Sequence, residues 1–227
     1  MHHVAIKYGR IVRAHKAKKR ASNPYMLPSQ TGFLMTSEKA ASVVALVFNP
    51  ALVAAFTFLM LLYPQNIASP LLVGISLTFG TLVPLVMMYL LSKRGLISNF
   101  YVSEKEERAK PFAGAIMSYL VGSLALLLLR APTTITVLML CYAGNTLAMM
   151  LITLRWKISI HASGIAGPTT VLIYGLGTWA SIFFALLVPV GWARIRLKAH
   201  TPTQLLAGAL VTIATTWVQL DIYLAVL

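Results

Sequence analysis

Residues Gly164–Leu197 read GIAGPTTVLIYGLGTWASIFFALLVPVGWARIRL, and the number of helices in this stretch decides the fold. As one long helix it would carry Arg194, Arg196 and Lys198 to the outer face of a membrane, against the positive-inside rule. As two short helices turning at YGLGTW, with Gly175 and Gly177 as the break, it returns them to the inner face. Both halves are short for a full crossing, which requires protein rather than lipid around their ends. Pro168 then suits the first turn of the earlier helix, and Pro189 would kink the later one. The rest of the chain favours the two-helix reading.

Of 227 residues, 58% are hydrophobic and 11% are charged. Five further runs approach or exceed the roughly 18–20 apolar residues that cross a bilayer as a helix. They are Ser42–Tyr63, Leu71–Ser92, Phe112–Leu129, Thr133–Leu154 and Leu205–Leu220. With the hairpin, the chain is expected to be an all-α, polytopic integral membrane bundle of about 6–7 transmembrane helices. With the N-terminus inside, every Lys and Arg except Arg130 then falls on the cytoplasmic side, while Asp221 lies outside.

The first forty residues form a basic cytoplasmic arm, 1–40, ahead of the membrane domain, 41–227. Val4, Tyr8, Ile11 and Val12 recur in the arm at helical spacing, so it reads either as an amphipathic helix on an anionic surface or as a disordered tail. Ser22–Gly32, with Asn, two prolines and Gly, reads as linker. No short apolar segment with a cleavage site follows the basic start, so no removable signal peptide is expected. Cys141 is alone, which rules out an intramolecular disulfide. The net charge of +14 raises the question of nucleic acid. The cations flank membrane spans, however, without zinc-finger spacing or an RNA-binding signature, so nucleic acid is not an expected partner.

Three polar islands converge on the cytoplasmic face: SEKEERAKPF (Ser103–Phe112), RWKISIHASGIAGP (Arg155–Pro168) and RIRLKAHTPTQ (Arg194–Gln204). Several Arg and Lys around a small Ser-Gly backbone make an anion site, and Arg suits bidentate phosphate recognition. A histidine among them can act as nucleophile or as general acid and base. If helical, Arg196, His200 and Gln204 would stack at i, i+4, as would Lys157 and His161. Arg196 and Lys198 fit headgroup anchoring. His161 and His200 are singled out because histidine near membrane spans is seldom idle. No metal or other cofactor is expected: hard cations need clustered carboxylates, Asp221 sits on the opposite face, and Glu104, Glu106 and Glu107 interleave with cations. Two histidines without carboxylate or thiolate partners make a poor zinc set.

The islands resemble the phosphatidic acid phosphatase type 2 family, whose motifs are Lys-x6-Arg-Pro, Pro-Ser-Gly-His and Ser-Arg-x5-His-x3-Asp. The third is matched by ARIRLKAHTPTQ, with Arg194, five residues, His200, three residues and Gln204. The second is matched by HASG, where Ser163 and Gly164 fit and Ile165 stands in place of His. The first survives as KEERAKP, with Lys110-Pro111 in the place of Arg-Pro. The wording is similar to an uncharacterised bacterial branch of the family, which implies the bacterial inner membrane. The resemblance implies a membrane lipid phosphatase or phosphotransferase acting on a phospholipid or polyprenyl (di)phosphate through a phosphohistidine on His200. Arg194, Lys110, Arg108 and Lys105 would hold phosphoryl oxygens, with Ser163 and Gly164 completing the cradle. Gln204 would orient His200 in place of the family's Asp, and His161 would supply the leaving-group proton. The departures support an alternative, a catalytically degenerate relative serving as a structural or accessory subunit of a larger membrane complex. A transporter, suggested by Gly80 and Pro84 within one span, lacks repeat symmetry.

Overall fold

A computed structural model of the chain describes residues 28–63, 69–98 and 107–227, with side chains from residue 36 onward. The chain divides into Met1–Lys39 and Ala40–Leu227, the second being a helical bundle. The features expected around Val4–Val12 lie outside the described residues. The linker expected over Ser22–Gly32 is overtaken at Pro28, which opens a helix, because proline's fixed φ suits a first helical turn.

Every regular element among the described residues is helical. In chain order they are α1 (Pro28–Val47), α2 (Pro50–Leu62), α3 (Pro70–Lys93), α4 (Ala109–Leu128), α5 (Thr133–Thr153), α6 (Ile160–Leu176), α7 (Thr178–Arg196) and α8 (Pro202–Val226). Five of them, α3, α4, α5, α7 and α8, are long and apolar enough to cross a membrane. The bent α1–α2 pair makes a sixth if counted as one broken span. The seventh expected crossing, α6, has 17 residues, short of the ~20 a lipid-facing helix needs.

Ser42–Tyr63 is not one straight span. It bends by 47° at Phe48–Asn49, because Pro50 has no N–H to continue the ladder. Asn49 caps the new helix by accepting from Ala51 N–H at 3.0 Å, and its own N–H turns back to Leu46 O. The carbonyl of Ala45, which Asn49 would have engaged in a continuous helix, is thereby released.

Gly164–Leu197 does form two helices. Gly177 makes the turn at φ 99, where a side chain would be strained. Beyond it α7 starts as a 3-10 segment, Thr178–Leu186, and becomes α-helical at Leu187. Pro189 falls in the first turn of that α segment, where its missing N–H is tolerated, so the expected interior kink is absent. Pro168 is displaced in the other direction. Ser159 caps α6, accepting from Ala162 N–H, so the helix starts earlier than expected and Pro168 lies inside it.

Residues 161–172 of α6 are all buried, against α2, α5, α7 and α8. Small residues permit such close approach between helices. A Cβ on Gly164 would stand 2.9 Å from Pro50, and one on Gly208 would stand 2.5 Å from Ser159 O. The main apolar core, with Phe58, Leu61, Leu126, Leu138, Met139 and Leu220, fills one half of the bundle. In the other half α3 departs from its neighbours. A π-helical turn at Thr78–Leu82 precedes Pro84, so α2 packs on Pro70–Leu82 while Val83–Lys93 rests on α4.

The starts of α4, α6 and α8 share an end with the finishes of α3, α5 and α7, whereas α2 starts level with Thr81, midway along α3. Lys93, Arg94, Arg108, Lys110, Arg155, Lys157, Arg194, Arg196 and Lys198 lie at this end, and Arg130 and Asp221 at the other.

Candidate functional site

The spacing between Arg194 and His200 is produced by how α7 ends. Lys198 adopts φ 53, the left-handed residue of a helix-terminating turn. Its N–H donates to Ile195 O, and Ala199 N–H donates to Arg194 O, the paired bonds of a Schellman end. The chain then re-enters a helix: Thr201 is the N-cap and Pro202 the first residue of α8. His200 is thus held between a helix finish and a helix start. The expected helical stacking of Arg196, His200 and Gln204 does not occur, because the helix stops at Arg196. Lys157 likewise precedes α6 and shares no helical face with His161.

Gln204 nevertheless meets His200. It is the third residue of a capping box, and its Oε1 accepts the Thr201 N–H at 3.2 Å. A backbone N–H can only donate, which identifies that amide atom as the oxygen. The same Oε1 lies 3.1 Å from His200 Nδ1. Nδ1 therefore carries the proton, and the neutral ring has its lone pair on Nε2. Burial first, then the Arg194 charge, with Arg108 and Lys157 adding, holds the His200 imidazole down to about 3, against the opposing bond from Gln204.

Arg108 and Arg194 are 2% and 3% exposed, which is rare for guanidinium groups. Arg108 Nη1 donates to Ile158 O at 3.0 Å, tying the start of α4 to the loop before α6. That loop is joined to α8 through Ser159 N–H and Gln204 O. His161 Nε2–H donates to the released Ala45 carbonyl at 3.3 Å, so this ring latches the α1–α2 elbow.

Arg108, Arg194, His161, His200, Ser163 and Gly164 line one cavity of about 170 Å³. Its walls continue as Pro84, Leu85 and Met88 of α3 and Phe112, Ala115 and Tyr119 of α4, and deeper as Tyr142, Asn145 and Thr146 of α5. One end is cationic and the flank is largely apolar. Ser163 N–H stays in its helix, donating to Ser159 O, and Ser163 Oγ lies 2.8 Å from Thr212 Oγ1. Gly164 is where α6 meets Pro50.

Of the residues the sequence selects, Lys110 is exposed and outside the cavity lining, Lys105 lies outside the described residues, and Arg108 supplies the cation from the first island. Asn49, Tyr119, Tyr142, Asn145 and Thr146 are additional. Asn145 had a signal: it is an amide within the apolar run Thr133–Leu154, where polar side chains serve packing or function. Among the described residues no three His, Cys, Asp or Glu side chains gather.

Fold and site together define an all-helical bundle with five or six membrane-length helices and a cavity whose polar end carries two histidines and two buried arginines. No family model matches the chain, and neither does any curated protein or solved structure.

Proposed function

We propose that the chain is an integral-membrane lipid phosphatase or phosphotransferase, acting on a lipid phosphate at the cationic end of the cavity. The observation that carries this reading is the tautomer of His200: Gln204 Oε1 fixes the proton on Nδ1 and leaves Nε2 nucleophilic beside two buried arginines. Three helix starts at this end, those of α4, α6 and α8, add partial positive charge. Nε2 attacks phosphorus, the bond from phosphorus to the lipid oxygen breaks, and the alcohol leaves with a proton from His161 or from water. A second water then cleaves the N–P bond and releases phosphate. Arg194 and Arg108 stabilise the charge on the equatorial oxygens, the main demand of phosphoryl transfer. The polar end is assigned to the cytoplasmic side of a bacterial inner membrane on the positive-inside rule.

His200→Ala should abolish phosphate release from every lipid phosphate while leaving membrane insertion intact. Acid-labile phosphate on His200 should be trapped in the wild type by rapid quench. His161→Ala separates the two proton routes. A loss of about 10²–10⁴-fold on alkyl phosphates that shrinks on p-nitrophenyl phosphate assigns the proton to His161; an equal loss on both makes it the elbow latch alone.

A second reading has its own support. The His161 Nε2–H is engaged with Ala45 O, and Gln204 contributes no negative charge, as in a retired enzyme kept as an accessory subunit. Wild type inert on a broad lipid panel, together with stable co-purifying membrane proteins, would favour it.

A further inference from the structure

The break in the first span does more than bend it. Asn49 and Pro50 interrupt an apolar run where α2 begins midway along α3. Irregular backbone at membrane depth is tolerated where protein covers it or where it lines a cavity. Asn49, Pro50 and Ala51 line the cavity that also holds Arg108, Arg194, His161 and His200. The break is pinned on both flanks. Thr81 Oγ1 donates to Ala51 O at 3.0 Å, and Pro50 packs so closely on Gly164 that a Cβ there would stand 2.9 Å away.

The Asn49 amide can be assigned atom by atom. Ala51 N–H donates to one of its two atoms at 3.0 Å. A backbone N–H can only donate, so that atom is Oδ1 and the other is Nδ2, with two hydrogens. Among the described residues neither hydrogen has an acceptor. An amide within a membrane span faces the bundle interior or a cavity and marks a ligand path by default.

The α6 side of the cavity is short of a donor. The resemblance to the phosphatase family assigns the phosphate cradle to Ser163 and Gly164, yet Ser163 N–H donates to Ser159 O. Gly164 lies one residue further in, past the free N–H groups of a helix start. Neither backbone N–H is available to a phosphoryl oxygen. What Gly164 does instead is admit Pro50, and so bring Asn49 to this side.

We infer that Asn49 is a binding residue of the site: its Nδ2–H donates to a phosphoryl oxygen of the bound ligand and supplies the donor that α6 withholds. The inference rests on the lipid-phosphate reading and adds to it a contact from outside the three polar islands. It also accounts for the residue type. Ser or Asp would cap α2 as well, but only an amide accepts from the helix while donating two hydrogens to an anion.

The test is the melting temperature of the full-length protein in detergent as octadecylphosphonate is added, since a ligand held only by the folded state raises it with concentration. The C–P bond of this probe is not hydrolysed. Asn49→Ser and Asn49→Asp both keep an oxygen for the cap, so without ligand both should melt close to wild type. Asn49→Ser should bind the probe about tenfold more weakly, the scale of one hydrogen bond to a charged group. Asn49→Asp should bind it more weakly still, because a carboxylate then faces an anion. Affinity equal to wild type in either folded variant overturns the contact and leaves the phosphate reading standing. Inorganic phosphate is the second arm and separates a lipid head group from free phosphate. Wild type should hold it at least about a hundredfold more weakly than octadecylphosphonate, the worth of a few buried methylenes; equal affinity overturns the lipid reading. Failure of wild type to bind either probe removes both the reading and the contact.

Discussion

His200 and Gln204 meet because one side chain serves two purposes. Gln204 closes a capping box and, with the same oxygen, sets the His200 tautomer. It supplies orientation without charge. On the proposed reaction, Gln204→Glu keeps both acceptor contacts and adds a carboxylate that stabilises the cationic ring present while phosphorus is bonded to Nε2. Phosphate release should rise in this variant, whereas Gln204→Asp, one methylene shorter, should lose the cap and melt earlier; steady-state release and thermal unfolding distinguish the two. His200 also makes a prediction about acid. Its folded value of about 3 lies below the ~6.5 of an unfolded histidine, so the unfolded chain takes the proton first. The stability gained by keeping this ring neutral is complete above pH 6.5 and is lost as pH falls from there toward 3. Melting temperature measured from pH 7.5 to 4.5 should therefore drop more for wild type than for His200→Asn; parallel curves would remove His200 from the acid response.

The elements carry strain and close contact at identifiable points. Lys198 holds a left-handed conformation that costs an L-residue roughly 1–2 kcal/mol, so Lys198→Gly should raise the melting temperature without moving Arg194 or His200. Gly208→Ala should do the opposite. Its Cβ meets the backbone oxygen of Ser159, so the start of α8 must shift, at a cost of about 1–3 kcal/mol. Gly74→Ala, with nothing within 4 Å of its Cβ, is the neutral control. These details also mark how far the sequence could be read. Long apolar runs announced α3, α4, α5 and α8, and the charge balance selected the hairpin at Gly177. The elbow at Asn49–Pro50 was hidden because hydropathy is blind to a missing N–H inside an apolar run. His200 and Gln204 were legible as a pair by spacing, but the spacing comes from a helix finish and a capping box rather than from stacked turns. Lys110 took the place that Arg108 occupies, because the start of α4 decides which cation turns inward. Tyr142 and Asn145 belong to the site only through the packing of α5 beside α6.

For the whole molecule, the end-to-end separation of charge can be tested directly. The single cysteine, Cys141, is 2% exposed and gives little background to thiol labelling. Cysteines placed at Lys110, Arg155 and Thr203, all exposed at the polar end, should react from one side of the membrane, and cysteines at Arg130 and Asp221 from the other. Reaction of Thr203 together with Arg130 would dismantle the hairpin and the site built on it. The burial of α6 has one more consequence, for how the protein is made. A helix that ends with protein on nearly every side, and that carries His161, Ser163, Thr169 and Thr170, is poorly suited to leave the translocon alone and wait in lipid. Its entry is tied to that of α7 across the Gly177 turn, and its partner α8 is synthesised only after both. A ribosome halted after Leu197 would leave α6 facing lipid with its hydroxyls uncovered. Membrane quality control would then meet an unfinished chain whose defect is its own central helix.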